Sequence, residues 1–359
     1  MTNRKYRVIH WGTGRVGMPT LRGILERPDF ELVGLFVSSA TKEGRDAGEL
    51  CGAPRSSGVR ATRDRQALIA MQADCVCYTS TDVGRIPEVI DDLCALLESG
   101  KNVVNTAITL LVHPQEYDPA AIQRLQQACE RGKTTLYTTG IHPGVFSDAM
   151  LFSLTSMSQQ IESITALEML DCSSYDAPVL SALGFGWTPE EDAKRFDSQI
   201  LHYYWGPIVK FMAEAYDLKL DEIRHFRESA LASSSFETTG GLSIKPGQIA
   251  GLHYGLQGMV GGKPRLIAEN YERLRPEIAP HWPQPPGHGG YRIIIKGVPD
   301  MQLDLAFGGA DPLTDALIGT GMRAAHSIPA VCAAKSGVVQ SFADLAHVHG
   351  YMAGASQQG

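Results

Sequence analysis

Paired cysteines, basic clusters and long apolar runs are all missing from this 359-residue chain. Its seven cysteines are odd in number, no two stand in CxxC spacing, and no histidines cluster beside them. Neither a disulfide framework nor a zinc site is expected, and no metal ligands are assigned. Lysine and arginine total 32 against 39 acidic residues, a net charge of −7. Nucleic acid and anionic membranes select for clustered positive charge, so neither is an expected partner. No stretch reaches the ~18 uninterrupted apolar residues of a membrane-spanning helix. Residues 1–7 are polar and lead straight into a strand-like segment, so a cytoplasmic location is the expectation. What is present is ample core material, 43% hydrophobic residues, on a chain long enough for two domains.

The first half alternates. Apolar runs at 6–11, 31–37, 73–79, 102–107 and 134–138 read as buried parallel strands. Helical spacing over 16–25, 86–97 and 120–129 separates most of them, which predicts βαβ crossovers and a doubly wound parallel sheet. Beyond Gly144 the pattern changes to longer strand candidates at 161–170, 223–230, 266–271, 291–298 and 301–307. Helical segments at 189–195 and 202–216 separate the first two, and turns join the later ones, as in an antiparallel or mixed sheet. The segment 276–290 reads as a loop and 314–328 as a last helix. The expected organisation is a nucleotide-binding domain over 1–145, an α+β domain over 146–312, and a C-terminal helix and tail over 313–359 packing back on the first domain.

Gly12-Thr13-Gly14-Arg15-Val16-Gly17 has GxGxxG spacing between the first strand and the first helix. Such a loop turns tightly at the first glycine, lets a pyrophosphate approach at the second and packs helix on strand at the third. All six residues are therefore assigned to a dinucleotide. An NAD site usually places Asp or Glu about 20 residues on, against the ribose 2′-hydroxyl. Here the second strand runs out into Ser38-Ser39-Ala40-Thr41-Lys42, with no carboxylate before Glu43. Ser38, Ser39 and Lys42 suit a 2′-phosphate, so NADP(H), or tolerance of NAD(H) as well, is expected. Thr79, Thr106 and Pro143 complete the cofactor set.

Further segments carry a family resemblance. Gly44-Arg45-Asp46-Ala47-Gly48-Glu49-Leu50-Cys51-Gly52, Gly140-Ile141-His142-Pro143-Gly144, Ser174-Tyr175-Asp176-Ala177-Pro178 with Gly184-Phe185-Gly186, and Ser327-Ile328-Pro329-Ala330-Val331 with Asp344-Leu345 occur in that order. Together they resemble the 2,4-diaminopentanoate dehydrogenases and native amine dehydrogenases, which are similar to dihydrodipicolinate reductase in their N-terminal half. The resemblance implies a Rossmann domain, a second α/β domain forming a homodimer interface, and hydride transfer between a nicotinamide and a small carbonyl or amine substrate. Those enzymes carry a Glu just after the fourth strand to handle ammonia. Here that region reads Asn105-Thr106-Ala107-Ile108-Thr109-Leu110-Leu111, with no carboxylate until Glu116.

Three residues are candidates for the chemistry. His142 follows the fifth strand at the sheet's carboxyl edge, where ligands of open α/β folds bind, and an ordinary imidazole suits proton transfer near neutrality. Tyr175 offers a phenol to a carbonyl oxygen. Thr109 stands near the family Glu position and can orient a substrate. Glu168 and Asp171, on opposite faces of one strand, are alternatives for the missing carboxylate, with solvent-facing charge the commoner explanation. Aromatic residues Phe185, Trp187, Tyr203, Tyr204 and Trp205 read mainly as packing, and His326 as a cofactor-facing or helix-end histidine. His253, His281 and His288 have no ligand-like spacing. The leading expectation is an NAD(P)H-dependent oxidoreductase acting on a carbonyl or imine carbon. A carbonyl reductase without ammonia, a cyclic-imine reductase and a non-catalytic NAD(P) sensor remain alternatives.

Overall fold

The computed structural model describes residues 5–285, 287, 289–309 and 311–345; His288 and the tail 346–359 lie outside them. Two units divide the described chain, 5–145 with 317–345 and 146–316.

The first unit is built on a seven-stranded parallel sheet. Its strands β1 (Tyr6–Trp11), β2 (Phe30–Phe36), β3 (Ala61–Thr62), β4 (Cys75–Tyr78), β5 (Asn102–Asn105) and β6 (Thr135–Thr138) stand in the order β6-β5-β4-β1-β2-β3. Val338–Gln340 adds a seventh strand parallel to β6. Alternation divides each strand between two cores. Ile9, Trp11, Val76, Val103 and Leu136 face one, with Leu93, Leu97 and Leu125 from the helices Ile86–Glu98 and Pro119–Gly132. Val8, Leu35, Cys77 and Val104 face the other, with Leu21 and Ile24 of the helix Gly17–Glu26 and with Ala324, Ile328 and Val331. Burial on both faces is why these strands are unbroken apolar runs rather than alternating ones. The strand order reverses between β1 and β4, the switch point at which such sheets bind ligands.

The second unit carries a six-stranded mixed sheet. Its strands are β7 (Gln160–Asp171), β8 (Glu222–Leu231), a small hairpin β9 (Phe236–Glu237) and β10 (Ser243–Ile244), β11 (Ile249–Val260), β12 (Lys263–Arg273), β13 (Gly290–Val298) and β14 (Met301–Ala306). The large sheet runs β14-β13-β7-β12-β11-β8, with β7 and β12 parallel and the other neighbours antiparallel. The helix Gln199–Ala215 lies on β11 and β12 and continues through Gly206 and Pro207, where the sequence suggests a break. Packing on the sheet holds it there: Gly258 of β11 leaves room for Val209, whose Cγ1 would stand 2.8 Å from an added Cβ.

β11 is absent from the sequence expectation because Gly251, Gly255 and Gly258 interrupt its apolar pattern. The last helix spans Pro312–Ala333, with Pro329 inside it, and is longer than 314–328. Among the described residues, no helix is long and apolar enough to cross a membrane, and no group of three His, Cys, Asp or Glu is placed to hold a metal ion.

Candidate active site

The glycine loop follows β1 directly at the switch point. Gly12 adopts φ +110, and a Cβ there would stand 2.9 Å from the backbone nitrogen of Ser80, just beyond β4. At Gly17 a Cβ would lie 2.3 Å from the Gly12 carbonyl oxygen and 2.8 Å from Thr79 Oγ1. Gly14, by contrast, has open space where a side chain would be. The helix Gly17–Glu26 starts at Val16 with no side-chain cap and no acid in its first turn. Uncapped N–H groups, the helix dipole and an open glycine are what a pyrophosphate requires, so the loop fits a dinucleotide.

The loop is supported from below. His10 is fully buried, and burial pushes its imidazole down to about 4, against partial compensation from the Gly17 and Gly12 backbone. A neutral ring therefore lies under the glycine loop. Thr79 faces inward, its hydroxyl reaching Trp11 O at 3.2 Å, Gly12 O at 3.3 Å and His10 Nε2 at 3.4 Å. It shapes the turn from behind.

Lys42 comes to the same loop from beyond β2. Its Nζ donates to the Thr13 carbonyl at 2.8 Å and lies 3.2 Å from the Thr13 hydroxyl. Ser39 and Thr41 pair their hydroxyls at 2.7 Å, and Ser38 is exposed. Arg45, by contrast, pairs with Glu49. Lys42 is thus the cation that the structure brings to the glycine loop from this segment.

Two more loops leave the carboxyl ends of neighbouring strands. After β5, Asn105 is fully buried and holds Ala107 through both its amide nitrogen and oxygen, with a 3.1 Å bond to Thr138 Oγ1 at the end of β6. Thr106 N–H bonds the Tyr78 carbonyl. Ile108 then adopts φ 52, a strained conformation for a β-branched residue, and its N–H is held by Asp82 at 3.1 Å. Thr109 follows with its hydroxyl oxygen buried and unbonded.

After β6, Ile141 and Gly144 bridge across a tight turn containing His142 and a cis Pro143. Gly144 is obligatory there: at φ +137 an added Cβ would lie 2.2 Å from Gly140 O. Burial pushes the His142 imidazole down to about 3. This corrects the expectation drawn from an ordinary imidazole. His142 is neutral at physiological pH and offers hydrogen bonds rather than a titrating proton.

The second unit places Tyr175 in the turn after β7, where its N–H bonds Cys172 O and Gly240 packs on its carbonyl. Its phenol lies in the electrostatic neighbourhood of Tyr291, which is bonded side chain to side chain with Glu168. Glu168 is not a solvent-facing strand charge. Tyr291, Glu168, Asn270, Tyr254 and Arg227 stand directly opposite one another on β13, β7, β12, β11 and β8, one row across one face of the sheet. Glu272, two residues along β12, shares that face.

The helix Gln199–Ala215 covers the row at β8, β11 and β12, and its Trp205 meets Tyr254 edge-on at 5.1 Å. Burial and the neighbouring Glu272 push the Glu168 carboxyl up to about 8. Burial also raises Glu272, which accepts from Tyr254 OH at 2.7 Å. Asp171 instead caps the following turn through Ser173 N–H.

The structure gathers the glycine loop, Thr79, Lys42, Thr106, Thr109 and His142 at the carboxyl edge of the first unit. Tyr175 belongs to the second. His326 is exposed and interacts with Arg27 and Asp29, which precede β2 at the amino edge, so it does not join the cofactor-side loops. Sequence reasoning missed His10, Asn270, Glu272 and Tyr254. A polar pair inside the apolar stretch Leu266-Ile267-Ala268-Glu269-Asn270-Tyr271-Glu272 was the available signal for two of them.

Comparison with known proteins agrees with this architecture. Residues 145–358 match the 2,4-diaminopentanoate dehydrogenase C-terminal domain. An amine dehydrogenase of Streptomyces virginiae is 30% identical over 301 residues, 83% of this chain and 84% of that protein. A 2,4-diaminopentanoate dehydrogenase of Acetoanaerobium sticklandii is 22% identical over 345 residues, 93% of this chain and 92% of its own length. The solved structure of an amine dehydrogenase from Mycobacterium smegmatis shares the fold with a TM-score of 0.75, at 20% identity, covering 96% of this chain and 97% of that one. The chain belongs to the amine dehydrogenase and 2,4-diaminopentanoate dehydrogenase family, and is an NAD(P)-dependent oxidoreductase.

Proposed function

We propose that the protein is an NADP(H)-preferring amine dehydrogenase, joining ammonia to a small ketone or aldehyde at the expense of reduced cofactor, or running the reverse deamination. The observation that carries the cofactor preference is Lys42 on the glycine loop, with no carboxylate between Val37 and Lys42. The amine chemistry is supported by relatives that are themselves amine dehydrogenases. In this reading the cofactor supplies the hydride, and residues 12–17 hold its pyrophosphate. Ser39 and Lys42 meet the adenosine ribose phosphate. His142, as a neutral imidazole, hydrogen-bonds the reacting group, and Tyr175 lines the substrate side. A homodimer belongs to the same reading and is checked by sedimentation.

A second reading, carbonyl reduction without ammonia, is favoured by Thr109 standing where the family resemblance places a Glu. The test is NADPH oxidation with a panel of ketones and aldehydes, with and without ammonium. Ammonium-dependent turnover is expected. Equal rates without ammonium would establish the second reading instead.

A further inference from the structure

We propose that the Glu168–Asn270–Glu272 face of the second unit binds a primary ammonium nitrogen, and that Glu168 takes its proton. The inference rests on the amine reading above and assigns the nitrogen-handling residues within it.

Three observations carry it. First, Asn270 is fully buried, and neither its amide oxygen nor its amide nitrogen has a hydrogen-bond partner. Glu272, on the same face, has a buried carboxyl oxygen equally unbonded. A buried polar group without a partner is costly, so such a set points to a ligand that completes it. Second, the set consists chiefly of acceptors for a cation: two carboxyls and an amide oxygen. Third, the face is short of positive charge. Arg227, the cation in the row, is hydrogen-bonded to Asp192, with its guanidinium 2.8–3.2 Å from both carboxylate oxygens, and acts on Glu272 only through its field. Around Glu168 the titratable neighbours include Tyr291, Tyr254, Glu272 and Cys172, none of them cationic.

An ammonium group brings three or four N–H donors and the missing charge. A neutral alcohol supplies no charge, and a carboxylate or phosphate would be repelled. Glu168 is the partly exposed member of the set, while Asn270 and Glu272 are buried.

The proton count closes. Ionised Glu168 accepts one proton from ammonium, an N–H bond breaking as the carboxyl O–H forms, and ammonia is released to attack the carbonyl carbon. The same proton is returned to the hydroxyl that leaves the carbinolamine as water. The hydride that completes the amine would be supplied by the reduced cofactor. Ketone, ammonium and NADPH thus give neutral amine, water and NADP⁺, with Glu168 ionised again.

The test is steady-state kinetics on the full-length enzyme, varying ammonium chloride, carbonyl substrate and NADPH in turn, with NADPH affinity read by fluorescence. Glu168→Gln is expected to raise the KM for ammonium at least tenfold, leaving the carbonyl KM and the NADPH Kd within twofold. Asn270→Leu and Glu272→Gln are expected to move the same parameter in the same direction, and they keep the test decisive should Glu168→Gln not fold. An unchanged ammonium KM in folded variants, or an equal rise in the carbonyl KM, overturns the assignment while leaving amine chemistry standing. A wild-type rate indifferent to ammonium overturns the amine reading itself.

Discussion

Replacing Lys42 with alanine separates two effects that the structure superimposes. The Nζ tethers the glycine loop through Thr13, a contact that serves either cofactor. On the proposed reading, bound NADPH would draw the same ammonium to its 2′-phosphate. A hydrogen bond between ionised groups contributes about 1.5–3 kcal/mol, and giving up the bond to a neutral carbonyl costs about 1 kcal/mol. The net preference from this one side chain is therefore about 0.5–2 kcal/mol, or about 2- to 30-fold in affinity.

Lys42→Ala should weaken NADH modestly, through the lost tether, and NADPH by that further factor of about 2 to 30. Fluorescence titration of both reduced cofactors, at fixed ionic strength, reads the two constants without needing a substrate. Lys42 is partly exposed, so raising the salt should narrow the wild-type gap between them. Two dissociation constants that shift by the same factor would show that Lys42 is only a loop tether, and the NADP(H) preference would lose its structural basis.

Three further outcomes are expected. Gly17→Ala should fold with a loss of about 1–3 kcal/mol, the usual penalty of overpacking, because its Cβ meets the Gly12 carbonyl at 2.3 Å. Both reduced cofactors should then bind more than tenfold more weakly, since the displaced atoms form the phosphate turn itself; a titration unchanged from wild type would refute this. His10, held at about 4 when folded against about 6.5 unfolded, binds more protons in the unfolded chain between those values. Its contribution is therefore present above pH 6.5 and is lost as pH falls, to a limit of about 3 kcal/mol. Urea midpoints should fall over that window in wild type and do so less in His10→Asn. Thr109→Glu, which returns a carboxyl to the family position, should lower the melting temperature and leave the ammonium KM no better. The new charge would stand one residue from the Asp82-bonded Ile108 N–H, beside fully buried Ile108 and Leu111.

The first unit was legible because its strands are buried on both faces and its phosphate turn needs glycines at fixed spacing. The two-residue strand Ala61–Thr62 and the closing strand Val338–Gln340 were not. They are too short for any period, and pairing with β2 and β6 defines them rather than their own residues. Lys42 could be found in the sequence because an expected acid was missing. The state of His142 could not, since it depends on how deeply the turn is packed. Glu168 shows the limit most clearly. Period-two alternation separates it from Asp171, yet says nothing about which face is covered. The strands that cover its flanks, β12 and β13, begin about a hundred residues later, and one pairs with β7 in parallel and the other antiparallel.

That dependence bears on how a missing family residue is to be read. A carboxyl is suited to taking a proton from ammonium when it ionises close to the working pH, and burial beside another carboxyl brings it there. Nothing in this requirement fixes the strand from which the carboxyl must come. In this chain the segment 106–111 after β5 carries a strained Ile108 and a buried threonine hydroxyl, and no carboxyl of its own. The group poised near neutrality is Glu168, in a row with an amide that lacks partners and another carboxyl that has one oxygen unbonded. The absence after β5 is thus a statement about that loop. Whether amine chemistry survived is decided by the environment of the carboxyls that remain.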